Sequence, residues 1–255
     1  MMKKSHVLAK VCAILLGISA ATPLCAQESG EWSMTISADV VSNYLWRGSS
    51  LAGPSIQPST YFDYEKGDWA VSLGAWGTKS FLKDDYNEWD LSIEATWRNI
   101  TLSLANYSEY YGAELDDNYI DLGVSLTLSE NIPITLSWYS IINQYDNAAL
   151  IPSGYRWSEA FPSYFEVAYT HPVCDLFDVE LTAGAAPWSG AFWCFEREGD
   201  GYSDNYAKGF NVTNLSLMCN KEFEFDDFTV PVKAGYIFNP TTKFHYVLLQ
   251  TGIAF

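Results

Sequence analysis

From about residue 34 to the end, the chain alternates apolar and polar residues with a period of two. That repeat belongs to strands, whose successive side chains point to opposite faces. The stretch EWDLSIEATW sets Trp89, Leu91, Ile93, Ala95 and Trp97 on one face. Glu88, Asp90, Ser92, Glu94 and Thr96 lie on the other. WAVSLGAWGT, NYIDLGVSLTL and IPITLSWYS alternate in the same way. Twelve such segments are predicted, at roughly 34–47, 55–65, 68–79, 88–98, 100–110, 118–129, 132–143, 162–171, 177–188, 209–224, 228–238 and 244–255. No helical periodicity of any length interrupts them.

The connections between segments alternate in length. EKGD, RN, SEN, HPVCDL and EFDD are short, whereas SFLKDDYNE, GAELDDN and the segments holding SGYRW (Ser153–Trp157) and SGAFWCF (Ser189–Phe195) are longer. An even strand count puts all the short turns at one end and all the long loops at the other. That sorting is the habit of outer-membrane barrels, with turns in the periplasm and loops outside. A soluble sandwich has no reason to sort its loops so. Segments of about ten residues cross a bilayer when tilted, and aromatics such as Trp89 and Trp97 near segment ends suit interfacial girdles. In hydrocarbon every backbone N–H and C=O must be paired, which a closed barrel achieves. The expected fold is therefore all-β: one transmembrane antiparallel up-and-down barrel of twelve strands, over residues 27–255.

Residues 1–26 read as a cleaved signal peptide. Lys3, Lys4 and Lys10 precede a short apolar run, with Leu24 and Ala26 at the −3 and −1 positions. The run is too short to span a membrane alone. Thr22 and Leu24 do not suit a lipobox before Cys25. Removing this segment takes away three lysines and no acids, so the mature chain is more acidic than the full-length charge of −17. Phosphate backbones need Lys and Arg partners, so nucleic acid is not an expected partner. The address that follows is the outer membrane of a Gram-negative cell, with membrane lipid as a partner. The final QTGIAF places Phe255 last on an amphipathic strand, resembling the signal read by barrel-assembly machinery, although Ile253 stands where that signal has an aromatic.

The strand phases turn one set of charges inward: Asp39, Arg47, Glu88, Asp90, Glu94, Asp121, Glu166, Glu180 and Lys233. Carboxylates outnumber cations seven to two among them. An acidic, watered lumen suits passive passage of small polar solutes, because unpaired carboxylates in a dry interior are costly. The alternative is a sealed interior in which Arg47 and Lys233 pair with the acids as a structural network. A catalytic role has little to build on. Outside the signal there are two histidines, His171 at a short turn and His245 at a barrel rim, and a surface lipid hydrolase needs a serine beside one of them. No cofactor is expected: ELDDN and KDDYNE lack calcium-ligand spacing, and Cys174, Cys194 and Cys219 match no zinc motif. Cys174 and Cys219 could bridge or remain free.

Val40 to Thr78, VVSNYLWRGSSLAGPSIQPSTYFDYEKGDWAVSLGAWGT, resembles the start of the TorF family of porins. The matching residues are Ser42, Tyr44, Arg47, Gly48, Ser49, Pro54, Gln57, Trp76 and Gly77. The resemblance implies an outer-membrane barrel and a solute channel. In this reading Ser42–Trp46 completes the first membrane crossing, with Tyr44 and Trp46 toward lipid, Gly48–Pro54 turns outside, and Arg47 points inward at the mouth.

Overall fold

In the computed structural model every inward-facing residue of the wall is a member of one closed ring of hydrogen-bonded strands. The described residues are 30–82, 86–111, 114–129, 132–143, 161–173, 176–188, 193, 195–198, 201–206 and 209–255. The predicted signal peptide, Cys174, Cys194 and Ser153–Trp157 lie outside them.

The strands are β1 (Glu31–Val41), β2 (Tyr44–Trp46), β3 (Ser49–Ala52), β4 (Ser55–Lys66), β5 (Trp69–Ser80), β6 (Tyr86–Trp97), β7 (Ile100–Tyr111) and β8 (Glu114–Ser129). They continue with β9 (Ile132–Ile141), β10 (Ser163–Val173), β11 (Phe177–Ala186), β12 (Phe195–Glu198), β13 (Gly201–Tyr206), β14 (Asn211–Glu224), β15 (Thr229–Asn239) and β16 (Phe244–Ala254). Twelve of them close a barrel in the order β1-β16-β15-β14-β11-β10-β9-β8-β7-β6-β5-β4. The hairpins β2–β3 and β12–β13 are separate two-stranded sheets. All wall pairings are antiparallel.

Closure is made by β1. On one side it pairs with β4, residue by residue from Glu31↔Glu65 to Val41↔Ser55. On the other it pairs with β16, from Ser37↔Ala254 to Val41↔Gln250. Ile36 and Phe255 complete that seam by exchanging two backbone hydrogen bonds, at 3.2 and 2.9 Å. The unpaired edge that would be intolerable in lipid is thereby removed.

The faces sort as the period-two pattern requires. Trp32, Met34, Ile36 and Val40 of β1, Leu91 and Ile93 of β6, and Val247 and Leu249 of β16 point outward and are exposed. Trp69 and Trp97, with centroids 6.2 Å apart, and Trp32 and Tyr64, 4.7 Å apart, ring the end that carries the short turns. Trp89 and Trp138 stand on the outer surface toward the loop end. Inward, hydroxyls meet across strands: Ser37 with Ser59 at 2.6 Å, Thr96 with Thr101 at 2.9 Å, and Ser125 donates to Ser137 at 2.9 Å.

One predicted boundary is corrected. β1 leaves the wall after Val41 instead of running to residue 47. Ser42 still bonds to Leu249 of β16, through its backbone N–H at 2.8 Å. The chain then turns into the barrel, and Tyr44–Ala52 forms the β2–β3 hairpin inside it. Tyr44 and Trp46 therefore face lumen partners, not lipid. Their rings lie against Trp76 at 5.3 Å and Tyr107 at 5.8 Å respectively.

Candidate functional site: the lumen and the hairpin within it

The hairpin turns on two residues. Trp46 pairs with Ser49, and Arg47 and Gly48 between them have φ of 49° and 84°. Positive φ at both central residues is the signature of a type I′ turn, whose twist suits a tight hairpin. Gly48 tolerates this at no steric cost; Arg47 does not, and its side chain must hold it there.

The hold is extensive. An Arg47 Nη2 donates to Asp121 Oδ2 on β8 at 2.5 Å. The guanidinium carbon lies 4.4 Å from the ring centre of Tyr139, 4.6 Å from Trp46, and 5.1 Å from both Tyr164 and Trp193. A cation over one aromatic face gains about 0.5–2 kcal/mol, more when desolvated; this one has four. Burial works against its charge, and the Asp121 carboxylate is the counter-charge that opposes this cost. Tyr107 donates a second hydrogen bond to Asp121 Oδ2 at 3.1 Å.

The hairpin tip rests on the far wall. Asn239 Nδ2, at the end of β15, donates to the Gly48 carbonyl at 3.1 Å. A Cβ on Gly48 would fall 1.9 Å from the Thr213 carbonyl oxygen of β14. At the hairpin base, the Tyr44 ring lies 6.2 Å from that of Tyr86, which donates to Glu88 at 2.7 Å. Around Trp46 a hydrophobic cluster gathers Tyr107, Tyr139, Ile141, Tyr164, Ala186 and Trp193. This core lies inside the barrel, toward its loop end.

The nine charges selected from sequence fall into two groups. Arg47, Glu88, Asp90, Asp121 and Glu166 surround the hairpin. Glu88, Asp121 and Glu166 are 3%, 2% and 6% exposed, against 8% for Arg47. Glu166 accepts from Tyr164 at 2.7 Å. Asp39, Glu94, Glu180 and Lys233 lie in the other half, among hydroxyls and only partly buried. There Gln250 donates to Asp39 at 3.0 Å, and Thr182 to Glu180 at 3.4 Å. Lys233 sits beside Gln250 in register and is the cation that acts on both Asp39 and Glu180.

Sequence reasoning missed Tyr139, Tyr164 and Trp193 as partners of Arg47. Tyr139 and Tyr164 were visible as inward aromatics near the loop end of β9 and β10. Trp193 comes from a long loop with no strand phase to read. His245 is on the outer surface, stacked on Phe238 at 4.5 Å and hydrogen-bonded to the Tyr236 hydroxyl. Cys219 also faces outward and is a free thiol.

A closed wall, apolar outward and polar inward, with a hairpin seated inside it, defines a membrane β-barrel. No family model matches the chain, and no curated protein matches it either. The resemblance of Val40–Thr78 to TorF porins thus rests on those residues. Among solved structures the chain is similar to one described as the CymD monoaromatic hydrocarbon channel. The identity is 9% over 87% of each chain, with a TM-score of 0.43.

Proposed function

We propose that the protein is an outer-membrane channel that passes small polar solutes passively through an acidic lumen, with β2–β3 as its plug. One observation carries the reading: the wall closes without the plug. β1 meets β4 directly up to Val41↔Ser55, and β2 and β3 pair only with each other. The hairpin can therefore move without breaking any rung of the wall. A lone two-stranded hairpin is marginal by itself, so its place depends on the side chains that seat it. Below the plug, hydroxyls and carboxylates line a half-lumen suited to hydrated solutes, and the TorF resemblance agrees.

The competing reading is a closed binding or structural barrel, which the buried Arg47–Asp121 pair favours. Planar-bilayer recordings separate the two. The wild type should show brief, infrequent openings. Replacing Tyr44–Ala52 with a short Gly-Ser link should give sustained conductance. A linked variant that inserts as a folded barrel and never conducts would decide for the closed reading. A lipid hydrolase is not part of the proposal: the His245 ring is already engaged by Tyr236 and Phe238. A hydrolysis assay with His245→Ala as control tests that.

A further inference from the structure

Resting on the plugged-channel reading, we infer that the box around Arg47 is a recognition site for guanidinium-bearing solutes. Arg47 is its resident occupant, and a soluble guanidinium compound competes with it to unseat the plug.

Three features argue for a site that exchanges its occupant rather than a permanent lock. The first is the quality of the ion pair. A guanidinium and a carboxylate that are fixed together usually meet through two parallel bonds. Here a single Nη holds a single carboxylate oxygen, while Arg47 Nη1 and Asp121 Oδ1 are both buried without a hydrogen-bond partner among the described residues. Each side thus retains unused bonding capacity at a position water does not reach.

The second is the origin of the walls. Tyr139, Tyr164 and Asp121 belong to the barrel strands β9, β10 and β8, and they stay when the hairpin leaves. What remains is two ring faces and the Asp121 carboxylate, with the Glu166 carboxylate close by on β10. Asn214 donates to the Tyr164 hydroxyl at 3.2 Å and keeps that ring in place. An open channel therefore exposes uncompensated negative charge and π faces at the level where the lumen was sealed. Acidic groups lining a watered lumen attract cations, so a cation arriving there replaces what Arg47 supplied.

The third is shape. The wall side of the box already stacks a planar guanidinium, with the ring centres of Tyr139 and Tyr164 at 4.4 and 5.1 Å. A planar cation of the same kind fits the same space, whereas a compact ammonium presents neither the flat face nor the fork.

The test compares ethylguanidinium with ethylurea, which has nearly the same size and shape but no charge. In planar bilayers ethylguanidinium should raise the open-to-closed ratio of the wild type. At ten times its dissociation constant for the open state the rise is about elevenfold. Ethylurea should change nothing. Arg47→Ala, which empties the box, should bind ethylguanidinium more tightly in isothermal titration, by the factor that the seated hairpin imposes on the wild type. Adding Asp121→Asn to Arg47→Ala should abolish that binding. Heat-modifiable gel mobility checks that each variant keeps its barrel, and Gly48→Ala offers a second way to empty the box if Arg47→Ala does not fold. Equal responses to both compounds, no response to either, or binding that survives Asp121→Asn would overturn the inference. Conductance of the hairpin-replaced variant reports on the channel reading alone, so the two can fail separately.

Discussion

Gly48→Ala is the sharpest test that the hairpin is a seated plug and not part of the wall. The substitution adds one methyl group and leaves every charge and ring unchanged. In the seated state that methyl would lie 1.9 Å from the Thr213 carbonyl oxygen and 2.8 Å from its carbon. Both are backbone atoms of β14, between Val212 and Asn214, which pair with Ala185 and Gly184 of β11, so no swing of a flexible side chain can relieve the clash. The backbone at Gly48, with φ of 84°, adds a left-handed penalty of about 1–2 kcal/mol for a residue with a Cβ. A tip that backs away also leaves the buried Asn239 amide without its bond to the Gly48 carbonyl. An unsatisfied buried donor costs about 1–3 kcal/mol. Together these raise the seated state by at least about 2 kcal/mol, a shift of about thirtyfold in the seated-to-unseated ratio. The assay is open time in planar bilayers, with thermal unfolding measured in parallel. Open time should rise by that factor or more, while the midpoint of the barrel stays near the wild-type value because β1–β4 pairing bypasses the hairpin. Wild-type open time in a correctly folded Gly48→Ala barrel would refute the seating argument. Loss of the barrel itself would refute the independence of the wall from the plug.

Further substitutions probe the same arrangement from other sides. Asp121→Asn strands the Arg47 guanidinium without its counter-charge, which for a buried pair costs about 3–5 kcal/mol. Open time should rise, and Arg47→Met combined with Asp121→Leu should recover much of the seal in a double-mutant cycle. Trp193→Ala removes a ring 1% exposed that packs on Trp46 and Tyr164. It should loosen the plug by about 3–5 kcal/mol, read as increased conductance, with the wall strands unaffected in amide hydrogen exchange. Glu94→Gln with Glu180→Gln removes acids from the half-lumen below the plug, and cation preference measured by reversal potential should fall. In a Cys174→Ser, Cys194→Ser background, the outward thiol of Cys219 should resist a charged maleimide in lipid vesicles and react with an apolar one.

The wall was legible because one physical rule covers all of it. Each wall strand is apolar on the face toward lipid and polar on the face toward the lumen, so the phase of a single well-patterned segment, such as Trp89 to Trp97, fixes its inward and outward residues. The loop lengths then fix which ends lie together. Glu88, Asp121 and Glu166 could be assigned inward on that basis, and the structure puts them there, but the pattern says nothing of what they touch. Depth within the lumen, and hence the division between hairpin-contacting and chamber-lining acids, depends on register and on material that enters from the loops.

The reading failed at Ser42–Trp46, where alternation persists beyond the point at which the chain leaves the wall. Tyr44-Leu45-Trp46 is patterned well enough for a strand, and it is one; its partner is β3, not the neighbouring wall strand. Period two reports that a segment is extended with distinct faces and cannot report which sheet it joins. The better clue was the Arg47-Gly48 pair. A glycine placed to take positive φ beside a large cation marks a two-residue turn at 47–48, tighter than one outside loop running from Gly48 to Pro54. A turn there requires a short hairpin of its own. Such a hairpin, leaving and re-entering at Val41 and Ser55, has two places to go: outward over the loops or inward through the mouth. Tyr44, Trp46 and Arg47 have little to gain in water, whereas the lumen offers them Trp76, Tyr139, Tyr164 and the Asp121 carboxylate. The side chains that made this segment look like a membrane strand are the ones that draw it inside.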